Sequence, residues 1–169
     1  MNNSIIRFFN IRPLVNVKSL GNYYFQSKSN IETVESDSIT QLNTLTIDSC
    51  PNIRHIFLPA LTTLGPNCCQ NSRSLKYLKL GQLVKNNNLT AKSTFNGSPL
   101  VYVALYFTSI PSWAVDTSIS NLFPNNPYIY VPDDLLEDLK ITYAFSPRAD
   151  RIRPLSELEA DALASGWDY

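Results

Sequence analysis

The chain contains one histidine, His55, so any Ser-His or Cys-His catalytic pair would have to be built on it. No serine or cysteine carries a nucleophile signature, and His55 occupies a variable position in the strand-like run Ile53-Arg54-His55-Ile56-Phe57-Leu58. An exposed repeat-position residue is the simpler reading. The cysteines, Cys50, Cys68 and Cys69, are odd in number and include an adjacent pair, which fits neither a disulfide framework nor zinc-ligand spacing. They read as small hydrophobes, reduced and without metal. On an extended segment Cys69 would face the core and Cys68 would diverge to lie beside a turn. The densest carboxylate cluster, Asp133, Asp134, Glu137 and Asp138, follows Pro132 and suits the positive end of a helix. No Walker loop, G-x-G-x-x-G or H-E-x-x-H is present, and five glycines leave little material for a phosphate-cradling loop. The expectation is a protein that is not an enzyme and holds no cofactor and no metal.

Composition points to a folded domain. The 169 residues are 44% hydrophobic and 11% aromatic, enough for one domain with a real core. Only 17% are charged, 14 basic against 14 acidic, and no basic run supplies the patch a nucleic-acid binder needs. No stretch approaches the ~20 apolar residues required to cross a membrane, so membrane insertion is not expected. The apolar stretch near Met1 is too short for a signal peptide and is split by Arg7, which favours a chain used without Sec export.

An internal beat organises the sequence. Leu20, Ile31, Leu42, Ile53, Leu64 and Leu75 fall 11 residues apart, and the beat resumes at Leu89 and Leu100 after an Asn-rich insertion at 86–88. Most are followed three residues later by another apolar residue: Tyr23, Val34, Leu45, Ile56, Leu78 and Val103. Pro51, Pro59, Pro66 and Pro99, with Gly65 and Gly97, exclude one long helix. Two half-turns of 11 make a repeat of about 22, within the leucine-rich-repeat range. Every second beat carries the fullest strand pattern, at Ile53–Leu58, Leu75–Leu80 and Leu100–Leu105, with a weaker copy at 31–36. The predicted fold is a repeat solenoid, right-handed and leucine-rich-repeat-like, with a parallel β-sheet, mostly β and loop, closed by a C-terminal capping α-helix. Leu42, Leu45, Ile53, Ile56, Leu58, Leu75, Leu78, Leu80, Leu100, Val103 and Leu105 should form its core.

Stacking the strand copies aligns their variable positions into columns. One holds Thr33, His55, Tyr77 and Tyr102; beside it run Glu32, Arg54, Lys76 and Val101, and then Glu35, Phe57, Lys79 and Ala104. Strands about 4.8 Å apart would let Glu32 and Arg54 pair. Arg54, His55, Phe57, Lys76, Tyr77, Lys79 and Tyr102 are the candidate binding residues, for a glycan or a protein. A solvated face with its usual share of aromatics fits the same pattern.

The repeat resembles the BspA-type leucine-rich repeats of bacterial surface and bacteriophage proteins. Leu64-Gly65-Pro66-Asn67-Cys68-Cys69 leads through Ser72 to Leu75, with Cys69 in the family's Phe position and Ser72 in its Cys position. Ile47 and Cys50 fill these places in the preceding repeat, Phe95 and Gly97 in the following one. The segment from Ile129 to Leu135 with that from Ala149 to Glu157 is similar to the close of many such arrays. Its physical reading is a last strand, Tyr128 to Val131, and a helix from Pro132-Asp133 docked by Leu135, Leu136 and Leu139. The resemblance covers about residues 31–157, and with the flanks the chain is read in four parts: an N-terminal docking segment (1–19), the solenoid (20–131), a helical cap (132–157) and a tail (158–169). It also implies a non-catalytic virion component, at a phage tail or another exposed site, acting in assembly or host-surface recognition. The alternative is a bacterial cell-surface adhesin module binding protein or glycan. The apolar flanks, with Phe8, Phe9, Trp167 and Tyr169, are expected to dock on other structural chains, in a homo- or hetero-oligomer.

Overall fold

The computed structural model describes residues 9–10, 17–84, 94–115 and 119–166. Its backbone alternates between two parallel sheets in step with the 11-residue beat. The larger sheet contains β1 (Phe9–Asn10), β3 (Thr33–Glu35), β5 (His55–Leu58), β7 (Tyr77–Leu80), β8 (Tyr102–Leu105), β9 (Tyr128–Val131) and β10 (Ile152–Pro154), side by side in that order. The smaller sheet holds the alternate half-turns, β2 (Ser19–Leu20), β4 (Gln41–Leu42) and β6 (Thr63–Leu64). Thr33 pairs with His55 and His55 with Tyr77, steps of 22 residues, and the steps lengthen to 25 and 26 through Tyr102 and Tyr128.

Period-2 alternation decides which side chains enter the interior. Ile56, Leu58, Leu78, Leu80, Val103 and Leu105 are buried between the strands' half-buried neighbours, and Ile53, Leu75, Leu100, Leu20, Leu42 and Leu64 are buried at the beat positions. Leu45 departs from the expected core. It takes a left-handed conformation (φ 52°), as Tyr23 (60°) and Asn67 (55°) do at the equivalent places, so it turns the chain and stays half-buried. The core contribution of that half-turn comes two residues later, from Phe25, Ile47, Cys69 and Phe95. Their backbone N–H groups reach the next repeat, Phe25 to Thr46 at 2.7 Å, Ile47 to Cys68 at 2.7 Å and Cys69 to Thr94 at 3.1 Å.

The Cys position has a physical explanation. Cys50 Sγ donates to the Phe25 carbonyl at 2.9 Å, Ser72 Oγ to Ile47 at 2.9 Å and Ser98 Oγ to Cys69 at 3.0 Å. Each repeat thus uses one small donor to satisfy a carbonyl of the repeat before it. Ser98, not Gly97, fills the position in the third copy. Cys68 and Cys69 also differ from expectation: both are fully buried, with their sulfurs 3.7 Å apart, because residues 66–71 form turns and not an extended segment. All three thiols are free. Burial pushes the Cys50 thiol up from 9.0 to about 11, and burial beside Cys68 raises that of Cys69. Thiol reagents at neutral pH should therefore spare the native protein and count three thiols once it is denatured. Because the folded-state value of Cys50 is the raised one, its contribution to stability is complete below pH 9 and is lost as pH rises toward 11. Urea midpoints over that window should fall more steeply for the native chain than for Cys50→Ser, and equal slopes would contradict this assignment.

The C-terminal part departs from the simple repeat. Here α1 (Ile119–Leu122) and α2 (Leu136–Lys140) accompany a buried ring cluster: Trp113 stacks on Phe145 at 5.8 Å and meets Phe107 at 6.0 Å. Trp113 Nε1 donates to the Leu83 carbonyl at 2.9 Å. Leu139 is buried, and the half-buried Leu135 and Leu136 pack against the core. Asp133 does not cap its own helical turn; its carboxylate accepts the Ser156 N–H at 3.1 Å, and hydrogen bonding from Ser156, by its side chain first and then its backbone, lowers its pKa. β9 is not the last strand, since Ile152–Pro154 pairs with it as β10.

The flanks also depart from free docking segments. Phe9-Asn10 pairs through its backbone with Val34-Glu35, so the larger sheet begins within residues 1–19. In the tail, α3 (Leu158–Ala164) packs on the protein itself, with Leu158 and Ala162 one helical turn apart and buried against Ala104 and Tyr130. Phe8, Trp167, Tyr169 and the side chain of Phe9 lie outside the described residues.

Candidate binding face

The half-buried positions of the larger sheet form one continuous outer face. His55, Tyr77, Tyr102 and Tyr128 follow one another by strand register. Their ring centroids are separated by 5.0, 5.9 and 6.1 Å, the first contact edge-on and the other two stacked. Phe57 stacks on His55 at 5.4 Å and lies 4.9 Å beneath the Lys79 ammonium. At the far end the Arg151 and Arg153 guanidinium groups sit 4.6 and 4.9 Å over Tyr128. Parallel pairing holds every ring in register with its neighbours, so the row is pre-organised and little side-chain freedom remains to be lost on binding.

The helix α3 covers part of this face. Tyr130 Oη donates to Asp161 at 2.6 Å, and Arg153 Nε lies 3.9 Å from the same carboxylate. The small side chain of Ala104 leaves room for the helix, which explains why an outward position is almost fully buried. Burial, reinforced by the bond to Asp161, raises the Tyr130 pKa; burial also raises that of Tyr77. Beyond α3 two clefts open. One, of about 260 Å³, is bounded by Tyr102, Tyr128, Arg153, Asp161, Ala164 and Ser165. The other, of about 490 Å³, is bounded by Arg54, His55, Arg73, Ser74, Lys76, Tyr77 and Gly166.

No protein-family model matches the chain, and no curated protein matches it in sequence. Among solved structures it is similar to the pneumococcal vaccine antigen PcpA, at 15% identity and a TM-score of 0.48. That likeness covers 88% of this chain, which spans 40% of the length of the PcpA chain.

Arg54, His55, Lys76 and Tyr77, four of the predicted contact residues, line the larger cleft together. Phe57 and Lys79 form the adjacent cation–π pair, and Tyr102 stands in the ring row and in the smaller cleft. The expected Glu32–Arg54 ion pair is not formed among the described residues; what joins the two positions is a backbone bond from Arg54 N to Glu32 O at 2.8 Å. Arg73 and Ser74 escaped sequence reasoning because they precede the strand in a turn. Tyr128, Tyr130, Arg151 and Arg153 escaped because their segment was assigned to the close of the array. The alternation in Tyr128-Ile129-Tyr130-Val131, which repeats that of Tyr102-Val103-Ala104-Leu105, is the signal that places the two tyrosines on this face. Among the described residues, no three His, Cys, Asp or Glu side chains converge as a metal site, and no helix is long and apolar enough to cross a membrane.

Proposed function

We propose that the chain is a non-catalytic binding module, a leucine-rich-repeat solenoid of a bacteriophage virion whose outer sheet face recognises the host surface. The observation that carries the binding part is the register-locked row His55–Tyr77–Tyr102–Tyr128, edged by Arg54, Lys76 and Lys79. Tyrosine and arginine dominate binding energy where they are held rigidly, because they bring large contact area at low entropic cost. The virion setting follows the BspA-type resemblance of the repeats.

Two measurements test the proposal. Labelled chain should bind candidate host cells, and Tyr102→Ala should weaken that binding by roughly 30-fold, the loss of one hot-spot residue, with an unchanged circular dichroism spectrum. Equal binding by the variant would overturn the role of the row. Mass spectrometry of purified particles should find the chain at fixed copy number. Recovery from the bacterial envelope instead would favour the adhesin alternative.

A further inference from the structure

Two separate sets of apolar contacts hold the protein together. Among the described residues, the interior ladder from Leu20 to Ile152 forms one continuous core that includes no residue of α3. Leu158 and Ala162 belong instead to a second cluster on the outer face of the larger sheet, with Ala104 and Tyr130, bordered by Tyr102, Tyr128 and Leu155. The helix therefore lies on a surface that is already complete. Of its seven residues Leu158 and Ala162 are buried, whereas Glu159, Ala160, Leu163 and Ala164 are exposed. A helix this short is not stable alone in water, so its helical form depends on the docking.

The docking has the form of helix-in-groove recognition. Leu158, Asp161 and Ala162 stand at i, i+3 and i+4 and so share one face of α3. The small side chain of Ala104 leaves a hollow in the sheet surface, against which Ala162 is buried. Tyr130 Oη donates to Asp161 Oδ2 at 2.6 Å, and Arg153 Nε lies 3.9 Å from the same oxygen, so the groove wall selects a carboxylate at that place. The strap has a fixed base. The Asp133 carboxylate accepts the Ser156 N–H at 3.1 Å, just before α3 begins. Releasing the helix beyond that anchor disturbs no core residue and no strand pairing.

We propose that α3 is an intramolecular occupant of a helix-docking groove formed by Ala104, Tyr130 and Arg153, and that a partner protein binds this groove by exchanging α3 for an acidic amphipathic helix of the same Leu-x-x-Asp-Ala pattern. The face thereby carries its own competitor. A tethered segment acts at an effective concentration on the order of millimolar, so a free helix enters when it binds well or when α3 is loosened. This rests on reading the outer sheet face as a binding surface and names the partner chemistry for the part that α3 covers.

The test uses the full chain and a fluorescein-labelled peptide with the sequence of residues 155–166, read by fluorescence anisotropy. In Ala162→Glu a charged side chain replaces the methyl group buried beside Ala104, which undocks α3 and vacates the groove. The peptide should bind Ala162→Glu roughly tenfold or more tightly than it binds the native chain, whose own helix competes. The same peptide carrying Asp161→Asn should bind about tenfold more weakly, the loss of one charge-assisted hydrogen bond. Ala162→Glu should keep the native strand signal in circular dichroism, since the core does not include α3. Absence of peptide binding, or equal binding by the two chains, overturns the proposal. So does unfolding of the Ala162→Glu chain, because α3 would then be part of the fold. Hydrogen exchange on the native chain gives an independent reading. Amides of α3 should exchange roughly 100-fold faster than those of Tyr102–Leu105 and Tyr128–Val131, through local release of the helix; equal protection overturns the proposal. A native dimer that Ala162→Glu abolishes would make a second copy's α3 the occupant and overturns the partner assignment. Host-cell binding that depends on Tyr102 without any peptide binding would leave the wider reading of the face intact while removing this one.

Discussion

Leu78→Ala is expected to lower the free energy of unfolding by about 2–5 kcal/mol, the range for truncating a well-packed core leucine. Leu78 has no exposed surface and stands in register between Ile56 and Val103, with Leu75 and Leu80 buried on the same strand run. Parallel hydrogen bonds fix the spacing on both sides, so the neighbours cannot close in and most of the vacated volume remains a cavity. The position also amplifies the loss. Each repeat covers its apolar ladder mainly with the repeats before and after it, so damage in the middle weakens two interfaces at once. Urea unfolding followed by circular dichroism measures the change. A loss below about 0.5 kcal/mol, the size of an ordinary surface substitution, would mean that this strand is not packed as described.

Gly81→Ala should cost about 1–3 kcal/mol, the usual penalty for forcing an extra methyl into a packed interior. A Cβ at Gly81 would collide with the Pro59 carbonyl oxygen and meet the Leu61 oxygen at 2.7 Å and the Leu61 nitrogen at 3.0 Å. All three are backbone atoms of the preceding repeat, which cannot swing aside as a side chain can. Gly21 provides the internal control. Nothing lies within 4 Å of its Cβ position and its φ is not positive, so Gly21→Ala should be neutral or slightly stabilising through the unfolded chain. The two variants, melted in parallel, should move in opposite directions or at least differ clearly. Matching melting temperatures would show that the close approach at Gly81 is relieved at no cost.

Much of the architecture was legible because its signal is local and repeated. The 11-residue beat marked the Ile53, Leu75 and Leu100 runs as strands of one parallel sheet, since each strand's alternation is written in a few consecutive residues, whereas the second sheet, β2, β4 and β6 at the alternate beats, was not expected. The columns of outward residues followed directly, because one register repeats through every copy. Arg54, His55, Lys76 and Tyr77 were therefore placed together without reference to any tertiary contact. The beat was less informative where an apolar side chain served a turn. Leu45 has the right type and spacing for the core, yet its left-handed backbone points it elsewhere, and Ile47 takes the interior place.

What the sequence determined by itself was the repeat, the strand faces and the residues that share them. What only the tertiary structure decided was which part of the outer face α3 covers. Ala104 and Tyr130 alternate like their exposed counterparts, but α3 returns from beyond β10 to bury them, and its path past Ser165 brings Gly166 to the cleft at Arg54, Arg73 and Lys76. Alternation records the side of a strand on which a residue lies. Whether that side meets water depends on a segment dozens of residues away, whose docking requires a small side chain at 104 and a tyrosine–aspartate bond from 130 to 161. No local pattern encodes that contact, because its energy exists only when both partners are already folded.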